Sequence, residues 1–256
     1  MSLVAKPQPA SHTRAVIVTG AGRGIGRAIA RRFAAAGDAV WFTDLDSDAA
    51  RAASDAAEGG LCFWARMDVR DPEAIARVVG EVEARRGGVD VLINNAGRMT
   101  QGPFQATPAG AFQDMLDVNV GGLFHCVRAV APRMVERRRG SIINIASVSA
   151  QRGGGAVGNV WYGTTKAAVV AMTSGLAREL GPSGVRVNAI SPGVVETDMV
   201  RTFMTPQVRE RVLTRFPLGR LATVDDVARM ALFLASDEAA FVTGQTVAVD
   251  GGFLSN

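Results

Sequence analysis

Lysine is almost absent from this chain: of its 28 basic residues, only Lys6 and Lys166 are not arginine. Tyrosine occurs once, at Tyr162, and histidine twice, at His12 and His125. Two histidines so far apart offer no metal site, so metal catalysis is not expected. Cysteine is equally scarce. Cys62 and Cys126 show no C-x-x-C spacing and read as buried free thiols in a reducing, cytoplasmic compartment. No apolar run approaches the roughly 18 residues needed to cross a bilayer, so no membrane partner is expected. The opening stretch MSLVAKPQPASHTR lacks an apolar core and reads as a flexible tail over residues 1–13 rather than a signal peptide. The net charge is +4 and the pI about 9.8, yet no basic run suggests nucleic acid. The densest, VERRRG at 135–140, reads as cations at a helix C-terminus.

What is present alternates. AVIVTG (15–20) is a short β-branched run ending on glycine, and GRAIARRFAAAG (26–37) follows with helical spacing. Strand signals recur in AVWFTD (39–44), LCFWARMDV (61–69), VDVLINNAG (89–97), SIINIAS (141–147), VRVNAIS (185–191) and QTVAVDGG (245–252). Helical stretches fall between them at about 46–57, 71–86, 108–117, 120–138, 161–180, 206–214 and 224–235. Strand–helix alternation with continuous apolar strands predicts one doubly wound α/β domain over residues 14–256. Its parallel sheet has about seven strands, with helices on both faces.

The turn from the first strand into the first helix is TGAGRGIG (19–26). Free N–H groups and the helix dipole at such a turn attract a pyrophosphate. The spacing fails G-x-G-x-x-G and T-G-x-x-G-x-x-G but fits T-G-x-x-x-G-x-G, through Gly20, Gly24 and Gly26. A second signal is WYGTTK (161–166), where the only tyrosine precedes a lysine by four residues. Chance puts one of two lysines at a chosen offset in under about one per cent of such chains. An i, i+4 spacing places Tyr162 and Lys166 on one helix face.

With NNAG (94–97), these motifs resemble the short-chain dehydrogenase/reductase family in its single-domain branch, and the resemblance runs from about residue 14 to the C-terminus. It implies a Rossmann-type fold and an oxidoreductase that moves a hydride between a nicotinamide dinucleotide and a secondary alcohol or ketone. The protein must then handle the proton. Free tyrosine, with a pKa near 10, is a poor base at neutral pH. An ammonium one turn away is expected to favour the phenolate and lower that value. The resemblance assigns Ser147, with Ser149 as rival, to hydrogen-bond the reacting oxygen, and Asn119 to hold a water in a proton relay.

For the cofactor, the resemblance implies contacts from Gly20, Arg23, Gly24, Ile25 and Gly26, and from Asp44 and Leu45 after the second strand. Asp68 and Val69 would hold adenine, and Asn95, Ala96 and Gly97 would line the adenosine side. Pro192, Gly193, Val195 and Thr197 would meet the nicotinamide, while Tyr162 and Lys166 reach its ribose. A carboxylate at Asp44 accepts ribose hydroxyls and repels a 2′-phosphate, so NAD is favoured over NADP. Arg23 pulls the other way, because a basic residue there often accompanies NADP in the family. Asp46 is the better helix N-cap of the two acids.

The substrate is expected to be a small alcohol or ketone. A sugar or polyol dehydrogenase competes with a 3-oxoacyl thioester reductase, a reaction that usually runs on NADPH. A nonenzymatic dinucleotide-binding regulator is the reading from another class, and an epimerase or dehydratase would show the other glycine spacing. Relatives commonly form homotetramers through the two long helices and the last strand, and KAAVVAMTSGLAREL (166–180) is apolar over more than one stripe. The loop between Ser147 and Tyr162 is glycine-rich, and neither it nor Trp161 discloses the substrate.

Overall fold

The computed structural model describes residues 13–154, 159–197, 200 and 204–255. The tail expected at 1–13 lies outside these except for Thr13, as do Gly155 and Gly158 of the glycine-rich loop. Seven strands form one parallel sheet: β1 Ala15–Thr19, β2 Ala39–Asp44, β3 Cys62–Arg66, β4 Val91–Asn94, β5 Gly140–Ile145, β6 Val185–Pro192 and β7 Thr246–Val249. Their order is β3-β2-β1-β4-β5-β6-β7. The chain steps outward from β1 to β3, then returns to the other side of β1 at β4. That reversal opens a crevice at the C-terminal ends of β1 and β4, where such sheets bind ligands.

Successive residues of β1 face opposite ways and build two cores. Ala15 and Ile17 join Trp41, Leu92 and residues of helices α3 (Pro72–Arg86), α5 (Gly122–Arg137) and α7 (Val160–Leu180). Val16 and Val18 join Val40, Ile93 and residues of α1 (Gly24–Ala35), α2 (Ser47–Asp55) and α9 (Val224–Ala235). A third, smaller cluster lies apart from these. It gathers Val148, Val194, Val212, Phe216, Leu221 and Phe253, with partly buried side chains from α8 (Pro206–Leu213) beside it.

Several expectations need correction. The segments at 108–117 and 120–138 are one continuous helix. Helix α4 (Ala109–Leu116) passes through a π turn at Asp117–Gly121 directly into α5. The wide turn carries Asn119 to the inside, where it is 3% exposed. Glycine then lets the helix close on its neighbour, because a Cβ on Gly122 would lie 2.5 Å from Val69 Cγ2. The glycine-rich loop contains a short helix, α6 (Ser149–Arg152), that rests on α7. Gly163 permits this approach, since a Cβ there would meet Gly154 N at 2.5 Å. Cys62 is only partly buried because β3 is an edge strand, whereas Cys126 is buried in α5.

The arginine run does end a helix. Arg138 takes the left-handed conformation that stops α5 (φ 51°), and Arg137 and Arg139 turn back to Asp90 at 3.3 and 3.5 Å. Among the described residues no helix is long and apolar enough to cross a membrane.

Candidate active site

The crevice begins with the first turn of α1. No side chain caps this helix, and its first turn carries no acidic residue. Its N–H groups and dipole are therefore available to an anion. The glycines here are required by close contact. A Cβ on Gly26 would sit 2.2 Å from the Gly20 carbonyl oxygen, and one on Gly20 would press on Ala96 Cα at 3.0 Å. Gly20 and Gly24 also have positive φ, 64° and 54°.

Asn95 is the clasp. Its side-chain amide donates to the carbonyls of Thr19 (2.9 Å) and Gly20 (3.0 Å), while the Thr19 hydroxyl accepts from the N–H groups of Asn95 and Ala96. What residues 95–97 can offer a ligand is backbone and the bare face of Gly97. The Asp44 carboxylate accepts from the N–H groups of Gly22 (2.9 Å) and Asp46 (3.1 Å), which holds it at the rim beside exposed Leu45. Asp46 caps α2, as expected. Arg23 is exposed. Asp68 is taken up by Arg70, which reaches it at 2.7 Å and holds its carboxyl below the usual range. Val69 is buried against Gly122 and lines a small cavity together with Asn119 and Lys166.

Opposite, Thr197 approaches α1: a Cβ on Gly24 would lie 3.7 Å from its methyl. Val195 bridges to Ala222, the Gly193 N–H donates to the Val249 carbonyl, and the Pro192 carbonyl accepts from the N–H of Val148. These residues thus form the far wall, with Ile25 packed beneath among the side chains of the α1 core. A group with a pyrophosphate and two riboses fits this cradle of uncapped helix start, close glycines and rim carboxylate.

At the reacting end, the Ser147 hydroxyl lies beside the Tyr162 phenol, near enough to pull its pKa down, and accepts from the N–H of Ser149. Ser147, not Ser149, is therefore paired with the tyrosine. Lys166 Nζ lies 5.8 Å from the Tyr162 ring centre and donates to the Ile145 carbonyl at 2.7 Å. Gly97 closes the same space, since a Cβ there would be 3.3 Å from Asn119 Oδ1 and 3.6 Å from Lys166 Nζ. Asn119 spends its side chain on scaffolding. Its Oδ1 accepts from the Arg98 N–H, and its Nδ2 donates to the Arg98 carbonyl and the Thr165 hydroxyl.

The expected lowering of the tyrosine pKa is reversed. Burial pushes the Tyr162 phenol up to about 12 against the opposing pull of Ser147, and burial lowers the Lys166 ammonium to about 8. Desolvation disfavours both charged forms and outweighs their mutual attraction in the protein alone.

Asn159 and Thr165 were not anticipated. The Asn159 side chain caps α7 by accepting from the Tyr162 N–H, and also binds the hydroxyls of Thr100 and Thr107. Thr165 links the Tyr162 carbonyl to Asn119. An Asn three residues before the tyrosine at a helix start is a readable cap signal. The Thr165 contact has no local signature. Among the described residues no three metal-binding side chains cluster.

A family profile described as Enoyl-(Acyl carrier protein) reductase matches residues 20–254. The chain is 39% identical over 239 residues to a 3-oxoacyl-[acyl-carrier-protein] reductase of Escherichia coli (strain K12), covering 92% of this chain and 95% of that one. Among solved structures, a short-chain type dehydrogenase/reductase from Mycobacterium ulcerans superposes with a TM-score of 0.90 at 34% identity, covering 97% of this chain and 92% of that one. A 7 alpha-hydroxysteroid dehydrogenase complexed with NADH and 7-oxo glycochenodeoxycholic acid superposes with a TM-score of 0.88 at 36% identity, covering 93% of each chain. This chain belongs to the short-chain dehydrogenase/reductase family and is a nicotinamide-dinucleotide oxidoreductase.

Proposed function

We propose that Tyr162 is the acid–base group for interconversion of a secondary alcohol and its ketone, with Ser147 holding the reacting oxygen and NAD(H) the favoured cofactor. The pairing of the Ser147 hydroxyl with Tyr162 carries this reading. The dinucleotide supplies or accepts the hydride. In the reduction direction, the carbonyl oxygen takes a hydrogen bond from Ser147 and a proton from the Tyr162 phenol. The phenol is in its protonated, donating form at neutral pH, although burial raises its pKa and makes it a weaker acid than free tyrosine. In the oxidation direction, Tyr162 must accept the alcohol's proton, and Lys166 is the cation near enough to favour that. With one donor on Ile145, Lys166 keeps two for the nicotinamide ribose hydroxyls. With both Nδ2 donors of Asn119 spent on Arg98 and Thr165, a relay water at this turn would rest on its remaining Oδ1 lone pair or its main chain.

Asp44 at the rim supports NAD(H), as does the NADH found in the hydroxysteroid dehydrogenase neighbour. Exposed Arg23 supports the rival, NADP(H). A second reading, 3-oxoacyl thioester reduction, follows from the 39% identity to the reductase that acts on acyl carrier protein. A panel of polyols, hydroxysteroids and 3-oxoacyl thioesters, each with both dinucleotides and read at the reduced-nicotinamide absorbance, separates these. Turnover of none of them sinks the reading.

The same proposal includes a homotetramer. Phe124 on α5 is 48% exposed, α7 presents exposed Val160, Thr164, Ala167 and Ala171, and Phe233 and Phe241 are exposed near the C-terminal strand. Light scattering at the monomer mass would refute it. Free Cys62 and Cys126 fit a reducing cytoplasmic setting.

A further inference from the structure

We infer that Arg152 and Arg215 form an anion clamp on the substrate side of the crevice, and that the substrate carries a carboxylate or phosphate remote from its carbonyl. The inference rests on the reading of Ser147 and Tyr162 as the reacting end. Arg152 closes α6, the helix whose first N–H is held by Ser147. That single turn rises only roughly 6 Å, so Arg152 stands close to the reacting end. Arg215 follows α8 and directly precedes Phe216.

Both guanidinium groups lie over one ring. Arg152 Cζ is 5.0 Å and Arg215 Cζ 4.8 Å from the centre of Phe253, so the two cations are no more than about 10 Å apart, the sum of those distances. The ring is a fixed platform. Phe253 is 2% exposed, packs on Phe216 at 5.0 Å, and shares a cluster with Val148 and Val194, the neighbours of Ser147 and Gly193. A guanidinium held over a ring face keeps its N–H donors free for an oxygen acceptor.

Two like charges on one ring repel, and one arginine would suffice to cover it. Among the described residues neither has an ion-pair partner, a property shared with other surface arginines such as Arg27 and Arg77; what sets these two apart is that they share one ring. Two carboxylates of this region are already engaged, Glu196 by Arg209 and Asp250 by the N–H groups of Gly252 and Leu254. The uncompensated pair is thus matched by a ligand that brings the negative charge. Planar forks suit carboxylate and phosphate oxygens.

The test pairs methyl-ketone acids with their methyl esters: levulinate, a medium-chain and a long-chain member, with alkyl phosphates of matching length as a second arm. Turnover is measured with the reduced dinucleotide the protein prefers, and binding to the dinucleotide-saturated protein by calorimetry. Wild type is compared with Arg152→Gln, Arg215→Gln, the double variant and Arg152→Lys. At one chain length or more, the anion should exceed its ester by about tenfold in kcat/KM, expressed in KM. The double variant should lose that preference while using esters at the wild-type rate, and Arg152→Lys should recover part of it. A stronger effect for phosphates than for acids identifies the group carried. Equal use of anion and ester at every length, or a preference that survives in the double variant, overturns the clamp and leaves the reaction standing. Anion binding through the two arginines without turnover keeps the clamp and removes the catalytic reading. Neither binding nor turnover overturns the clamp.

Discussion

The two walls of the crevice are built from different materials. On the β1 side, backbone meets backbone: Gly20 and Gly26 allow α1 to close on Asn95, whose amide clasps the Thr19 and Gly20 carbonyls. On the β5–β6 side, the wall of Pro192, Gly193, Val195 and Thr197 is backed by side chains: buried Val148, Val194, Phe216 and Phe253 come from four separate stretches, and Arg152 and Arg215 lie over the Phe253 ring. A pyrophosphate is the same in every cofactor molecule, so main-chain N–H groups at one fixed spacing recognise it. A substrate must be told from close analogues, and only side chains of particular size and charge achieve that. A constant ligand suits the glycine side, and a ligand that must be told from its analogues suits the side of bulk and charge.

The sharpest way to separate the walls is Tyr162→Phe. It should leave dinucleotide affinity near wild type in calorimetry and lower turnover by about 10²-fold or more, the usual worth of a positioned acid–base group. Retained turnover would move the acid–base role elsewhere. Because Tyr162 is the only tyrosine, ultraviolet titration of the protein alone reads it directly. Its midpoint should lie near 12 rather than below 10. A midpoint below 10 would mean that Lys166 outweighs desolvation.

Next in size is Lys166. Its native pKa, about 8, lies below its ordinary 10.5, so the unfolded chain binds more protons between those values. Stability should therefore rise with pH across roughly 8 to 10.5, and the full cost of the buried charge applies below 8. That cost is on the order of 3 kcal/mol. Tyr162 acts in the opposite sense: its raised pKa makes stability fall between about 10 and 12. Lys166→Met should thus melt higher than wild type at pH 7, lose the rise toward pH 9.5, and lose most turnover. Equal pH profiles for the two proteins would show that the ammonium is not buried at a cost.

On the glycine wall, Gly26→Ala places a methyl 2.2 Å from the Gly20 carbonyl oxygen. It should cost about 1–3 kcal/mol of stability and most of the dinucleotide affinity. Gly80→Ala, where an added Cβ meets nothing within 4 Å, should be neutral or slightly stabilising by comparison. Denaturant midpoints and calorimetry check both. The smallest expected effect is at Asp44. Asp44→Ala should narrow the preference for NAD(H) over NADP(H) by about tenfold, from lost like-charge repulsion. Tighter NADP(H) binding by the wild type would give the choice to Arg23.

Much of this was legible before any coordinates because it is local. T-G-x-x-x-G-x-G spans one turn, Y-x-x-x-K one helical repeat, and alternating strands and helices predicted the sheet that forms. The two segments expected as separate helices at 108–117 and 120–138 were harder. The gap read at 118–119 is bridged by the π turn, and Gly122 is small so that Val69 can pack against it. The resemblance favoured Ser147 over Ser149, but the residues alone leave two hydroxyls close in sequence, and the docking of α6 on α7 decides which meets the phenol.

The amino-acid sequence by itself determined the glycine cradle and put one tyrosine and one lysine on a common helix face, because backbone sterics and the 3.6-residue repeat act over a few residues. Tertiary structure alone decided which way the pKa values of that pair move. Desolvation sums over every group packed around an atom, and the neighbours of Tyr162 and Lys166 come from Gly97, Asn119, Ile145 and Ser147. It also decided that Arg152 and Arg215, 63 positions apart in the numbering, share a single ring. No spacing rule encodes that meeting, since it depends on where α6, α8 and the C-terminal segment come to rest on the sheet.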